Sequence, residues 1–414
     1  MTSRLLFELL FLALPLTFFS VVMPNSFPYL NVIALALASV IVAIRGSLQI
    51  SRLLLVSLAV SSFVTVLYMT VGATRGAPGI AIAQTTMVYI LTPILWSIVV
   101  SFFLSRFGAL AISRWLAWCL VPIAISVALY FFLFLTFGPS AVSVFIEAAN
   151  IQIGDGTVAA TMHVFGSLIF ICGGMFAAPG VIGSIVVRMF LMLIAVVLAM
   201  VSGRGALVAA LIFGLLIRVV TSTLANPTIS PRRVVGLSVS VIVLLVSLPV
   251  LQSYFLFDVT IVFNDLVDKI FGESKAERGM QAVALLDGFF ESNGLGAGHG
   301  IGVSLIRNEL YPWRYETVWV ATLFRVGLVG TLLYAAPFIA CFFILFYRAV
   351  KDGGKLEARF LLGGFTAAFI ASNTNPYLEG FALQWMFVIP IVYSLNSRIF
   401  KVQFSNQKYK IAGH

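Results

Sequence analysis

Charge is scarce in this sequence. Only 10 % of its 414 residues are Asp, Glu, Lys or Arg, against about 25 % in a soluble globular domain. Cysteine and histidine are scarcer still, with three of each. Cys119, Cys172 and Cys341 all lie in apolar runs, so neither a disulfide framework nor a thiolate zinc site is encoded. His163, His299 and His414 are too scattered for a histidine-based metal centre. The expectation is a protein with no metal and no cofactor. What is abundant is apolar: 61 % of residues are hydrophobic and the mean hydropathy is +1.09. That balance excludes a soluble enzyme, a nucleic-acid reader and a disordered chain. Lipid must be the solvent for most of the protein, and membrane lipid is an expected partner.

A helix needs roughly 20 apolar residues to cross about 30 Å of hydrocarbon. The apolar runs are long and continuous rather than alternating, so they predict an all-α integral membrane protein and not a barrel. Twelve spans are expected, near 5–23, 28–44, 53–72, 83–104, 115–137, 161–178, 182–201, 205–222, 234–256, 317–347, 357–373 and 380–397. The first is read as a retained span because another apolar run follows at once and no A-x-A-like cleavage site intervenes. The expected organisation is an N-terminal bundle over 1–256, a large outward loop over 257–316, C-terminal helices over 317–397 and a basic tail over 398–414.

The net charge of +10 reports topology rather than nucleic-acid binding. With the N-terminus in the cytoplasm, 16 of the 25 basic residues fall on that side. Seven fall on the opposite face, five of them in the long loop, and long loops escape the positive-inside rule. Both termini are therefore expected in the cytoplasm.

Several residues on the outer face can carry chemistry. Ser202-Gly203-Arg204-Gly205 closes the seventh span. Its guanidinium suits bidentate phosphate recognition, or equally a snorkelling interfacial role. Arg278 follows the mixed-charge run Glu273–Glu277 and opens a short amphipathic helix over Gly279–Phe290. It is either a second phosphate ligand or a solvated loop charge. Gly294-Leu-Gly-Ala-Gly-His-Gly300 demands an unusual backbone path. A βαβ setting is missing, so it is read as a packed turn shaping a pocket, with His299 either touching a ligand or structurally neutral. Glu316, after Tyr311-Pro-Trp-Arg-Tyr315, stands at the mouth of the tenth span. It can act as a general base in a partly desolvated cleft, or simply cap the helix. Arg325 lies inside that span, where charge marks function by default, and the sequence names no partner for it. Asn373-Thr-Asn-Pro-Tyr-Leu-Glu379 forms the last outer loop. Its amides and Tyr377 can meet sugar hydroxyls or only make turn bonds. Arg314, Arg325, His299 and Tyr377 are the candidate substrate contacts beyond Arg204, Arg278 and Glu316.

These pieces, in this order, resemble the O-antigen ligase and O-antigen polymerase family of bacterial polytopic membrane glycosyltransferases. The resemblance rests on the Ser-Arg-Gly-like motif at 202–205, Arg278 early in the large loop, the glycine-rich stretch, Glu316-Thr-Val-Trp-Val320 running into Gly327-Leu-Val-Gly330, and Thr374-Asn375-Pro376. It covers roughly residues 200–380. Glu316 occupies the position where the ligases carry histidine, which tilts the resemblance toward a polymerase. It implies an undecaprenyl-diphosphate-linked oligosaccharide donor and an inner-membrane enzyme working at the periplasmic face without metal. Arg204 and Arg278 would bind the diphosphate, with Glu316 and Arg278 catalytic. A chain-length regulator and a flippase would be partners. The rival expectations are a ligase joining polymer to lipid A-core, a flippase or transporter, and a non-catalytic subunit of a synthesis complex.

Overall fold

A computed structural model describes residues 15–24, 26–45, 50–143, 151–154, 157–160, 164–202, 204–225, 273–306, 309–351 and 354–396. The expected ninth span at 234–256, most of the first, and the tail over 398–414 lie outside the described residues. The described chain is helical almost throughout. Its helices include α1 (Pro28–Arg45), α2 (Arg52–Thr74), α3 (Gly79–Phe107), α4 (Ala109–Phe137), α5 (Phe165–Ala177) and α6 (Ile185–Val201). There follow α7 (Gly205–Ala225), α8 (Glu273–Glu291), α9 (Val318–Lys351), α10 (Leu356–Ala371) and α11 (Trp385–Leu395).

Five of these, α2, α3, α4, α7 and α9, are long and apolar enough to cross a membrane. Helices α1, α5, α6 and α11 are apolar but shorter. The expected last span, 380–397, loses its start because two 3-10 turns, Tyr377–Glu379 and Phe381–Leu383, precede α11. Large apolar side chains stand on the outside, among them Phe63, Phe132, Val186 and Phe343, each more than half exposed. Hydrocarbon, not water, solvates such a surface without cost.

One short hairpin accompanies the helices. Strands β1 (Ile151–Gly154) and β2 (Thr157–Ala160) pair antiparallel, with Gly154 opposite Thr157. The two residues between them in sequence are Asp155-Gly156, a dipeptide favoured in two-residue hairpin connections.

Inside lipid, helices gain little from hiding apolar surface from one another, so close van der Waals contact must hold them. Helices α5, α7 and α10 achieve it by bringing backbones together. A methyl added at Gly214 would lie 2.5 Å from the Gly173 carbonyl oxygen, and one at Gly363 would lie 2.6 Å from the same oxygen. Aromatic rings fill the wider gaps, with Phe170 edge-on to Trp385 at 5.2 Å. At the other end of α2, Ser51 accepts from the Leu54 N–H at 3.2 Å and donates to the Leu395 carbonyl at 2.8 Å, capping α2 and tying it to α11.

Candidate functional site

The segment expected as a loop over 257–316 is, in its described part, folded onto the bundle. Helix α8 is longer than its predicted Gly279–Phe290 core and lies along α9. Arg278, Gln281, Leu285 and Gly288 recur at helical spacing on one face. Gln281 and Leu285 are fully buried, and Leu285 packs with Tyr315, Ala321 and Phe324. A methyl at Gly288 would press on the Phe324 ring at 2.7 Å. This stripe presents Arg278 to the start of α9.

There Arg278 Nε donates to Glu316 Oε2 at 2.6 Å. The pair is partly open, with 30 % and 14 % of the two side chains exposed. Gln281 Oε1 accepts from the Glu316 backbone N–H at 3.3 Å, so α8 holds the glutamate by backbone as well as side chain. Gln281 was not among the candidates, although its place one turn after Arg278 is the signal that it shares that face.

Arg204 enters from the turn between α6 and α7, its N–H bonded to Ser202 Oγ at 3.2 Å. Its guanidinium lies over the Phe165 ring at 4.7 Å, a cation–π contact that orients the side chain without neutralising it. Phe165 in turn packs on Tyr377, ring centroids 6.0 Å apart. Tyr377 is buried, and its hydroxyl has no hydrogen-bond partner. Burial pushes that hydroxyl above the usual phenol range, Arg204 and Arg278 pull it down, and Glu316 pushes it up. Arg204, Arg278, Glu316 and Tyr377, drawn from four separate segments, thus act on one another. Thr374 and Asn375 do ordinary turn work instead: Thr374 Oγ1 donates to the Ala371 carbonyl, and the Asn375 carbonyl accepts from Tyr377 N–H at 2.8 Å.

The remaining candidates form a second cluster. Arg325 is 3 % exposed and pairs through Nη1 with Glu379 Oε1. Its Nη2 donates to the Trp313 carbonyl at 2.5 Å, and the Tyr89 hydroxyl donates to the same Glu379 oxygen at 2.8 Å. Tyr89 sits in a π-helical turn, Met87–Leu91, inside α3. Such turns are uncommon and often mark functional regions. Glu379 supplies the partner the sequence did not name.

His299 is almost fully buried, with its Nε2 3.3 Å from the Tyr334 hydroxyl, which also bonds Thr65 Oγ1 at 2.7 Å. Burial first, and Arg325 second, hold its pKa down to about 3, so the ring is neutral at any physiological pH. Arg314 is exposed and stacks on Tyr311, 4.4 Å from the ring centroid. His299, Arg314, Arg325, Trp313 and Glu379 line a cavity of about 30 Å³.

The glycine-rich stretch ties the second cluster into the bundle. It inserts between α2 and α9 where α9 breaks at Gly327, whose φ of 65° suits only glycine without strain. The break frees carbonyls, and the stretch bonds to them: Ala297 N–H to Phe324 at 2.8 Å and Gly298 N–H to Arg325 at 2.8 Å. In return Leu328 N–H reaches the Gly294 carbonyl at 3.1 Å. On the far side His299 N–H bonds the Tyr68 carbonyl at 2.9 Å. Gly298 (φ +98°) faces Gly72 so closely that a methyl on either would strike the other's backbone segment.

Among the described residues, no group of three or more His, Cys, Asp and Glu could hold a metal ion. No family model, no curated protein and no solved structure matches this chain.

Proposed function

We propose that this protein is a membrane glycosyltransferase that polymerises oligosaccharide repeat units carried on undecaprenyl diphosphate. The observation that carries the reading is the Arg278–Glu316 pair, 2.6 Å apart, beside Arg204 and the unpartnered Tyr377 hydroxyl at one end of an apolar bundle. A carboxylate base next to two guanidinium groups matches the demands of sugar transfer from a lipid diphosphate. One end of the reaction needs a proton acceptor, and the other needs positive charge on a departing diphosphate.

In this mechanism the acceptor sugar hydroxyl attacks the anomeric carbon of the donor from the side opposite its diphosphate. Glu316 takes the hydroxyl proton as the new C–O bond forms. The bond between the anomeric carbon and the diphosphate oxygen breaks, its electron pair leaves on polyprenyl diphosphate, and the anomeric centre inverts. Arg204 and Arg278 hold the diphosphate and offset its developing charge. Arg278 exchanges part of its contact with Glu316 for phosphate, which leaves the glutamate oxygen open to the acceptor.

Twelve spans, both termini in the cytoplasm and a site at the periplasmic face of the bacterial inner membrane complete the proposal. They are supported by the basic-residue bias and by five helices able to cross. A flippase and a chain-length regulator are the proposed partners.

The test is to delete the gene in its bacterium and separate surface polysaccharides by gel, complementing with wild type, Arg278→Ala and Glu316→Gln at matched expression. A ladder collapsed to one repeat unit, rescued by wild type alone, is the expected result. Long polymer accumulating on the lipid carrier would mean a ligase. An unchanged profile would overturn both readings for that glycan.

A further inference from the structure

The proposed chemistry leaves a nearly inaccessible arginine unused. We propose that Arg325 is a positioning residue: its guanidinium fixes the Trp313 and Glu379 segments relative to one another, and with them Glu316 and Tyr377. This rests on the glycosyl-transfer reading above.

The two terminal nitrogens point to different segments. Nη1 pairs with Glu379, two residues after Tyr377 in the same 3-10 turn. Nη2 binds the carbonyl of Trp313, three residues before Glu316. A guanidinium is planar, so the angle between its two partners is set by the group itself. The guanidinium is held in turn from α3, where Tyr89 bonds Glu379 and Gln84 accepts from Trp313 Nε1 at 3.3 Å. The Arg325 backbone carbonyl accepts from Gly298 N–H across the α9 break. A direct role in binding substrate fits this environment poorly. Both terminal nitrogens are occupied, and the adjoining cavity of about 30 Å³ holds one or two waters rather than a sugar ring. Displacing a reacting group by an ångström can cost about 100-fold in rate, even when the displaced support never touches substrate.

The experiment uses full-length protein in lipid nanodiscs with a synthetic undecaprenyl-diphosphate repeat unit, reading kcat and donor KM. Arg325→Lys keeps the charge but loses the fork, and Glu379→Gln keeps the shape but loses the charge. Each is expected to lower kcat by about 10- to 100-fold with donor KM unchanged. The double variant should be no slower than the slower single one, because both break one linkage. Tyr89→Phe, which removes one bond to Glu379, is the mild version if Arg325→Lys does not fold, and should lower kcat by a smaller factor. A rise in donor KM at constant kcat would overturn the proposal in favour of direct substrate binding. Unchanged kcat in folded Glu379→Gln and Tyr89→Phe would overturn it outright, as would multiplying losses in the double variant. Folded wild type that forms no glycosidic bond would instead overturn the parent reading, which separates the two failures.

Discussion

Two arginine–glutamate pairs sit in the same part of this molecule and differ in the burial of their arginines. Arg278 and Glu316 are partly open and joined by one Nε contact, with Arg204 and Tyr377 from two further segments near them. In the other pair Arg325 is buried while Glu379 is about as open as Glu316, and a backbone carbonyl and a tyrosine hydroxyl complete their bonds. A pair whose arginine is partly open to water gains less from its attraction than one whose arginine is buried, so its partners can part at lower cost. A pair built on a buried arginine is costly to disturb, because removing one member strands a poorly solvated charge. The first arrangement suits groups that must trade partners with a ligand. The second suits a fixed reference for their positions.

The largest effect that would sharpen this comparison is functional. Glu316→Gln should lower polymer synthesis by about 100- to 10,000-fold, the usual worth of a general base, while thermal unfolding in detergent stays close to wild type. Stability should show the reverse order. Arg325→Met should cost roughly 3–5 kcal/mol in denaturant unfolding, and Arg278→Met roughly 1 kcal/mol or less. Equal losses from the two would break the comparison. Gly298→Ala comes next. It combines a left-handed φ with a collision against Gly72, and should cost roughly 3 kcal/mol through strain and overpacking together.

A pH series adds a smaller effect with a definite sign. His299 is neutral when folded, with its pKa held down to about 3, while the unfolded chain protonates near 6.5. The stability it confers is complete above pH 6.5 and is lost as pH falls through 6.5 toward 3. The loss by pH 5 should be about 2 kcal/mol, and His299→Phe should flatten that slope. Tyr377→Phe is the smallest. Removing a buried hydroxyl that has no partner should leave stability unchanged or raise it by up to about 1 kcal/mol. A marked loss would mean that the hydroxyl is bonded within the protein rather than waiting for a ligand.

Much of this could be read before any coordinates. The centres of α2, α3, α4 and α9 follow from apolar run length, because a bilayer imposes one length scale on every span. The amphipathic helix after Arg278 was legible from its spacing and runs from Glu273 to Glu291 in the structure. Arg204 and Glu316 were legible as unusual charges at span ends, and Arg278 as a charge at the start of the loop's amphipathic helix. Other features were not. Glu379 was one acid in a turn motif until the fold set it against Arg325, 54 residues earlier in the chain. Tyr89 was an unremarkable aromatic in an apolar run. The glycine-rich stretch announced a tight path but not its destination.

The sequence by itself determined that the chain is apolar enough for lipid, where several of its long helices run, and which few charges sit near their ends. These follow from local chemistry: apolar length against bilayer thickness, and the high cost of burying charge. Only the tertiary structure decided which charges meet. Pairing depends on how α8, the glycine-rich stretch and the 377–379 turn pack around a break at Gly327, and close packing is a property of surfaces brought together from distant parts of the chain. The same two residue types therefore became an open, exchangeable pair in one place and a fixed pair built on a buried arginine in the other.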